Sequence, residues 1–153
     1  MAFTPDGRFF YVVGELDSTV TAFSFDAASG AFSEMETLSL LPEGYTGQNT
    51  AADIHIHPSG KYLYASNRGQ NSLAAFSIDP ATGKLDSLGY TSTGGVTPRN
   101  FAIDPTGKFI LAANQDSGSI YVLSLDPATG ALSATGQEVS LPAPVNVLFY
   151  PIQ

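Results

Sequence analysis

The chain has 153 residues, of which 43% are apolar and 11% aromatic, which excludes an intrinsically disordered segment and predicts one globular domain or part of a larger one. Fourteen acids against six bases leave a net charge of −8, which argues against sequence-independent binding to nucleic acid or an anionic membrane. The absence of cysteine excludes disulfides, thiolate metal sites and cysteine nucleophiles. No apolar run approaches the roughly 20 residues of a membrane span, and MAFTPDGRFF lacks the basic-then-apolar layout of a signal peptide, so the expected location is cytoplasmic.

In chain order the sequence repeats itself. Residues 3–32 (FTPDGRFFYVVGELDSTVTAFSFDAASGAF), 56–85 (IHPSGKYLYASNRGQNSLAAFSIDPATGKL) and 103–132 (IDPTGKFILAANQDSGSIYVLSLDPATGAL) lie over one another. Pro5, Pro58 and Pro105 mark the period, with a fourth copy at Pro151; the spacings of 53, 47 and 46 residues fit the roughly 40 to 50 residues of a β-propeller blade. Each unit predicts four strands. In the middle one they are ADIHIH, KYLYAS, SLAAFSI and KLDSLGYTS, rich in β-branched and aromatic residues. The turns PSGK and DPATGK combine a proline that presets φ with a glycine for a left-handed position. The fold class is therefore all-β: a β-propeller of three four-stranded blades, over 1–47, 48–95 and 96–143, plus the inner strand of a fourth at 144–150. Asp53, Asn100 and Asn146 share a polar position five residues before the proline, and in the first copy this position falls before Met1. The first inner strand is thus shortened.

Subtracting what every repeat has leaves candidates for a ligand site. Arg8, Lys61 and Lys108 all follow the turn glycine and Lys84 sits in the second turn, so these four are read as solvated turn positions. Arg68 and Arg99 remain. Eight residues past the turn glycine the units carry Glu15, Arg68 and Gln115, on loops that a propeller gathers around one mouth of its channel. The loops entering the inner strands bring Arg99, Asn100, Asn146 and the stretch from Gln48 to Asp53 to that mouth. Asp53, His55 and His57 alternate along an inner strand. His57 aligns with Asp104 and Thr4 and reads as a turn-entry structural residue, whereas His55 aligns with Ala102 and is peculiar to its blade. No metal site is predicted from this pattern.

The strings GELDSTVTAFSFD, DIHIHPSGKYLYASNRGQNSLAAFSID, TPRNFAIDPTGKFILAANQDSGSIYVLSLDPATGAL and PVNVLFY resemble the C-terminal part of the seven-bladed propeller lactonase family. That family includes bacterial 6-phosphogluconolactonase and is similar to a fungal muconate lactonizing enzyme. The resemblance spans nearly the whole chain but only about half of the family's domain. It implies hydrolysis of a small-molecule sugar lactone, in carbohydrate metabolism, with no cofactor. Carried over by motif, Glu15 of GELDS is the candidate acid and Arg68 of SNRG its basic partner.

Lactone opening needs a group that activates water, for which Glu15 or a neutral histidine such as His55 is suited. It also needs donors for the anionic carbonyl oxygen and for a phosphate or carboxylate of the substrate, a task that fits Arg68 and Arg99. The expected site therefore holds Glu15, Arg68 and His55 as catalytic groups and Arg99, Asn100, Gln115, Asp53 and Asn146 as substrate ligands. The alternative reading is a noncatalytic propeller fragment that binds or scaffolds. Three blades leave apolar end faces and strand edges open, so a homodimer is expected, in which each terminal PVNVLFY completes its partner's first blade.

Overall fold

A computed structural model describes residues 1–150 of the chain; the fourth repeat proline, Pro151, lies outside the described residues. The predicted blades are present as three antiparallel sheets. Blade 1 contains β1 (Ala2–Phe3), β2 (Phe9–Gly14), β3 (Thr19–Asp26) and β4 (Ala31–Ser39). Blade 2 contains β5 (Thr50–Ile56), β6 (Tyr62–Arg68), β7 (Ser72–Ile78) and β8 (Leu85–Ser92). Blade 3 contains β9 (Pro98–Ile103), β10 (Phe109–Asn114), β11 (Ser119–Leu125) and β12 (Leu132–Ser140). Each sheet pairs its strands in sequence order. Among the described residues no helix is long and apolar enough to cross a membrane.

The turn chemistry acts as the sequence predicts. Gly7, Gly60 and Gly107, in the turns between first and second strands, have φ of +71°, +75° and +71°, a region that costs any other residue a clash at Cβ. The core then forms between the sheets. Tyr11, Val20 and Ala22 of blade 1 pack with Ile54, Leu63 and Phe76 of blade 2. Tyr64 and Leu73 of blade 2 pack with Phe101, Ile110 and Leu123 of blade 3. Tyrosines reach across both interfaces: Tyr11 donates to the Gly83 carbonyl at 2.9 Å, Tyr64, one repeat on, donates to Gly130 at 2.8 Å, and Tyr62 donates to Ala128 at 2.6 Å. His57 is buried and contacts Gly107 O at 3.0 Å through Nε2, while its Nδ1 accepts from the Ser59 amide at 3.1 Å. That is the structural role its alignment predicts.

The two ends of the chain differ from the middle. β1 has two residues against seven in β5, so β2 is paired on its inner side only at Phe10 and Tyr11. Residues 144–150, expected as a closing strand, form no ladder. They run beside β9, where the Val147 amide donates to Asn100 Oδ1 at 2.6 Å. An inner strand pairs with the second strand of its own blade, and these residues have no such partner.

Candidate active site

Two backbone irregularities shape the site expected at the channel mouth. In β5, Ala51 pairs with Asn67 and Ile54 with Ala65, so Ala52 and Asp53 together oppose Ser66. In β9, Asn100 pairs with Ala113 and Pro98 with Asn114, which leaves Arg99 outside the register. Both are β-bulges at the same point of the repeat, and a bulge re-aims the side chains around it. Ala52 and Arg99 thereby share one small cleft of about 120 Å³ with Glu15 and Arg68.

Within the cleft the two guanidiniums differ. Arg68 Nη2 is bonded to Glu15 Oε1 and donates to the Ala51 carbonyl at 3.0 Å. Its side chain is 15% exposed, against 61% for Glu15, and its buried Nε has no hydrogen-bond partner. Arg99 is exposed and makes no side-chain hydrogen bond or ion pair among the described residues. One cation is thus fixed and the other is free to close on an anion. On the far side of Arg68 lies a wider depression of about 650 Å³, lined by Gln48, Asn49, Thr50 and Thr97 among others.

Asp53 and Asn100, expected as substrate ligands, are committed to the neighbouring inner strands. Asp53 Oδ2 accepts from Asn100 Nδ2 at 2.6 Å and from the Phe101 amide at 3.2 Å, and Asn100 Oδ1 accepts from Val147, one repeat beyond Phe101. The shared polar position therefore tethers each inner strand to the next segment. His55 Nε2 also meets Asp53 Oδ2, at 3.0 Å. Burial alone would raise the Asp53 carboxyl, but the His55 contact and the Phe101 and Ile54 amides outweigh it and hold the group below its ordinary value. His55 faces a second cleft, outside the one that holds Glu15. Gln115 and Asn146 make no side-chain hydrogen bond among the described residues, and neither lines the cleft of Glu15 and Arg68. Among the described residues no group of three or more His, Asp or Glu side chains converges to hold a metal ion.

Sequence reasoning missed the bulges and the buried amides behind the mouth, although the stretch from Gln48 to Asp53 that it brings there includes Ala52. Asn67 and Asn114 are fully buried and donate to the Leu40 and Thr93 carbonyls at 2.7 and 2.9 Å. Their equal offset in two repeats is the signal that marks them as architecture.

A family model described as Lactonase, 7-bladed beta-propeller, matches residues 1–149. A Lactococcus lactis protein is 46% identical over 98 residues, which cover 64% of this chain and 29% of that one. The 6-phosphogluconolactonase of Pectobacterium carotovorum is 42% identical over 93 residues, covering 61% of this chain and 28% of that one. The solved structure of the periplasmic gluconolactonase of Pseudomonas aeruginosa matches with a TM-score of 0.93 at 36% identity, covering 99% of this chain and 42% of that one. The matched stretch therefore spans less than a third of the length of these two curated relatives.

Proposed function

The chain belongs to the seven-bladed β-propeller lactonase family, and from that premise we propose that it hydrolyses a sugar lactone of the 6-phosphogluconolactone type, without a cofactor and in the cytoplasm. The observation that carries the reading is the cleft where Glu15, Arg68 and Arg99 meet. None of the three is demanded by the repeat, and two of the four lining positions, Ala52 and Arg99, sit at bulges. Arg68, held by Glu15, supplies a pre-oriented donor for the oxygen that becomes anionic when water adds to the carbonyl. Arg99 supplies the mobile fork for a phosphate or carboxylate at the other end of the substrate.

The test is hydrolysis of phosphorylated and unphosphorylated gluconolactone, read against spontaneous opening at fixed pH. Arg68→Ala and Glu15→Gln should each lower kcat/KM, the first on the order of 100-fold, with the fold intact by circular dichroism. Arg99→Ala should raise KM for the phosphorylated lactone and leave the neutral one nearly unchanged. Full activity in both Arg68→Ala and Glu15→Gln would refute this site.

The proposal extends to a homodimer. It is supported by the aromatic side chains that blade 1 leaves open: Phe3 and Phe32 are exposed and ring-packed on Phe10. Surfaces of this kind associate. Light scattering after size exclusion should give twice the chain mass, and a mass that stays at one chain as the protein concentration is raised would exclude the dimer.

A further inference from the structure

We propose that His55 is the group that takes the proton from the attacking water, and that Asp53 is the positioning residue that makes it able to. The inference rests on the lactone-hydrolysis reading above and adds to it the base. Four donors converge on the Asp53 carboxylate: the Ile54 amide on Oδ1 at 2.9 Å, and Asn100 Nδ2, the Phe101 amide and His55 Nε2 on Oδ2 at 2.6, 3.2 and 3.0 Å. An ionised carboxylate only accepts, so the neutral imidazole must carry its hydrogen on Nε2. Its Nδ1 lone pair is then bare, and it has no partner among the described residues. A histidine in this state, oriented by a carboxylate on the opposite nitrogen, has the arrangement that a general base requires.

The surroundings agree. The His55 side chain is 40% exposed, its ring stands edge-on to Phe101 with centroids 4.8 Å apart, and it lines a cleft of about 280 Å³ with Ala102, Val147, Leu148 and Phe149. Apart from His55 itself, no titratable side chain among the described residues lines this cleft; its register partner on β6, Tyr64, is buried and directed to Gly130. The other candidates are occupied: Glu15 is bound to Arg68, and both nitrogens of His57 have partners. β5 and β9 line this cleft and the arginine cleft alike, with Ala52 and Arg99 in one and His55 and Ala102 in the other. The step from Ala52 to His55 is three residues, at most about 10 Å along the strand. A six-carbon lactone with its terminal anion on Arg99 can lie along these strands with its carbonyl oxygen toward Arg68 and its carbonyl carbon open to His55.

In the reaction the oxygen of water bonds to the lactone carbonyl carbon as its proton passes to His55 Nδ1. The tetrahedral oxyanion collapses, the ring C–O bond breaks, and the proton returns from His55 to the departing ring oxygen, which leaves as a hydroxyl of the open-chain hydroxy acid. One water is consumed, and nothing is oxidised or reduced.

His55→Gln in the full chain tests the assignment. The expected result is a fall in kcat of at least about 100-fold with KM within about twofold of wild type and the fold intact by circular dichroism, the opposite split from Arg99→Ala. Wild-type kcat in His55→Gln would overturn the base while leaving the lactonase reading intact. A wild-type chain with no lactone hydrolysis would overturn both. Geometry is tested without turnover by ¹⁵N NMR of the imidazole: the Nε2–H tautomer with a bare Nδ1 is expected, and a hydrogen on Nδ1 in the neutral ring would sink the proposal. Asp53→Asn should erase the tautomer preference, and if that variant does not fold, the wild-type tautomer and His55→Gln still decide.

Discussion

Removing one oxygen, in Tyr64→Phe, tests how the blades are held to one another. The Tyr64 ring is fully buried and its hydroxyl donates to the Gly130 carbonyl across the interface between blades 2 and 3 at 2.8 Å. Burial, followed by the neighbouring Tyr62, pushes the phenol above its ordinary range, so it is an O–H donor at neutral pH. Phenylalanine keeps the ring and its packing and leaves the Gly130 oxygen without its donor. The cost of an unmet buried acceptor together with the lost bond is about 1–2 kcal/mol, or a melting temperature lower by about 2–8 °C for a chain of this size. Tyr11→Phe removes the same bond, to Gly83 at 2.9 Å, from the interface between blades 1 and 2 and should cost about as much. The sites share no partner, so the double variant should equal the sum within about 0.5 kcal/mol. Urea unfolding with an unchanged slope is the assay. A change below about 0.3 kcal/mol in both single variants, well under the usual worth of such a bond, would refute the view that these tyrosines tie blade to blade.

Gly83→Ala and Gly7→Ala separate backbone strain from crowding. Both have φ of +71°, but a Cβ on Gly83 would lie 2.4 Å from the Phe9 ring whereas one on Gly7 meets nothing within 4 Å. Gly7→Ala should cost about 1–2 kcal/mol and Gly83→Ala clearly more; equal melting temperatures would contradict the packing. The pH dependence has a definite sign. Asp26, Asp79 and Asp126 are held below their ordinary value chiefly by the Ser29 hydroxyl, the Thr82 amide and the Ala128 amide respectively. Asp53 is depressed as well. A carboxylate depressed in the folded state contributes stability above its unfolded pKa and loses it as pH falls through the folded one. The urea midpoint should therefore be flat from pH 7 to about 5 and fall below that; a midpoint unchanged at about pH 3 would count against these turn bonds.

The blades were legible because proline and glycine at fixed offsets dictate turns, and the alternating runs between them have one sensible pairing. The cleft was legible in part. Subtraction isolates Glu15, Arg68 and Arg99 because a residue that the repeat does not need stands out against those it does. Asp53 and Asn100 fail that filter, because they share one offset of the repeat with Asn146, and their polar atoms go to the next segment. That use depends on how closely successive inner strands approach, which no single strand reveals. The bulges were hidden for a related reason: Ala52 and Arg99 look like ordinary members of alternating strands, and only the pairing with Asn67, Ser66 and Asn114 shows the extra residue. Residues 144–150 carry the right pattern for a strand, but a ladder needs a second strand and the pattern cannot supply it.

The matched bulges at Ala52 and Arg99 separate the mouth of the channel from the walls that support it. A residue outside the ladder register can change size or charge without shifting the hydrogen bonds on either side of it, so substitutions at these two positions should alter which molecule is accepted while the blades melt as before. In that sense the repeat contains a swappable reading head: two positions outside the ladder register lie where selection for a new substrate would act, and changing specificity need not erode the fold.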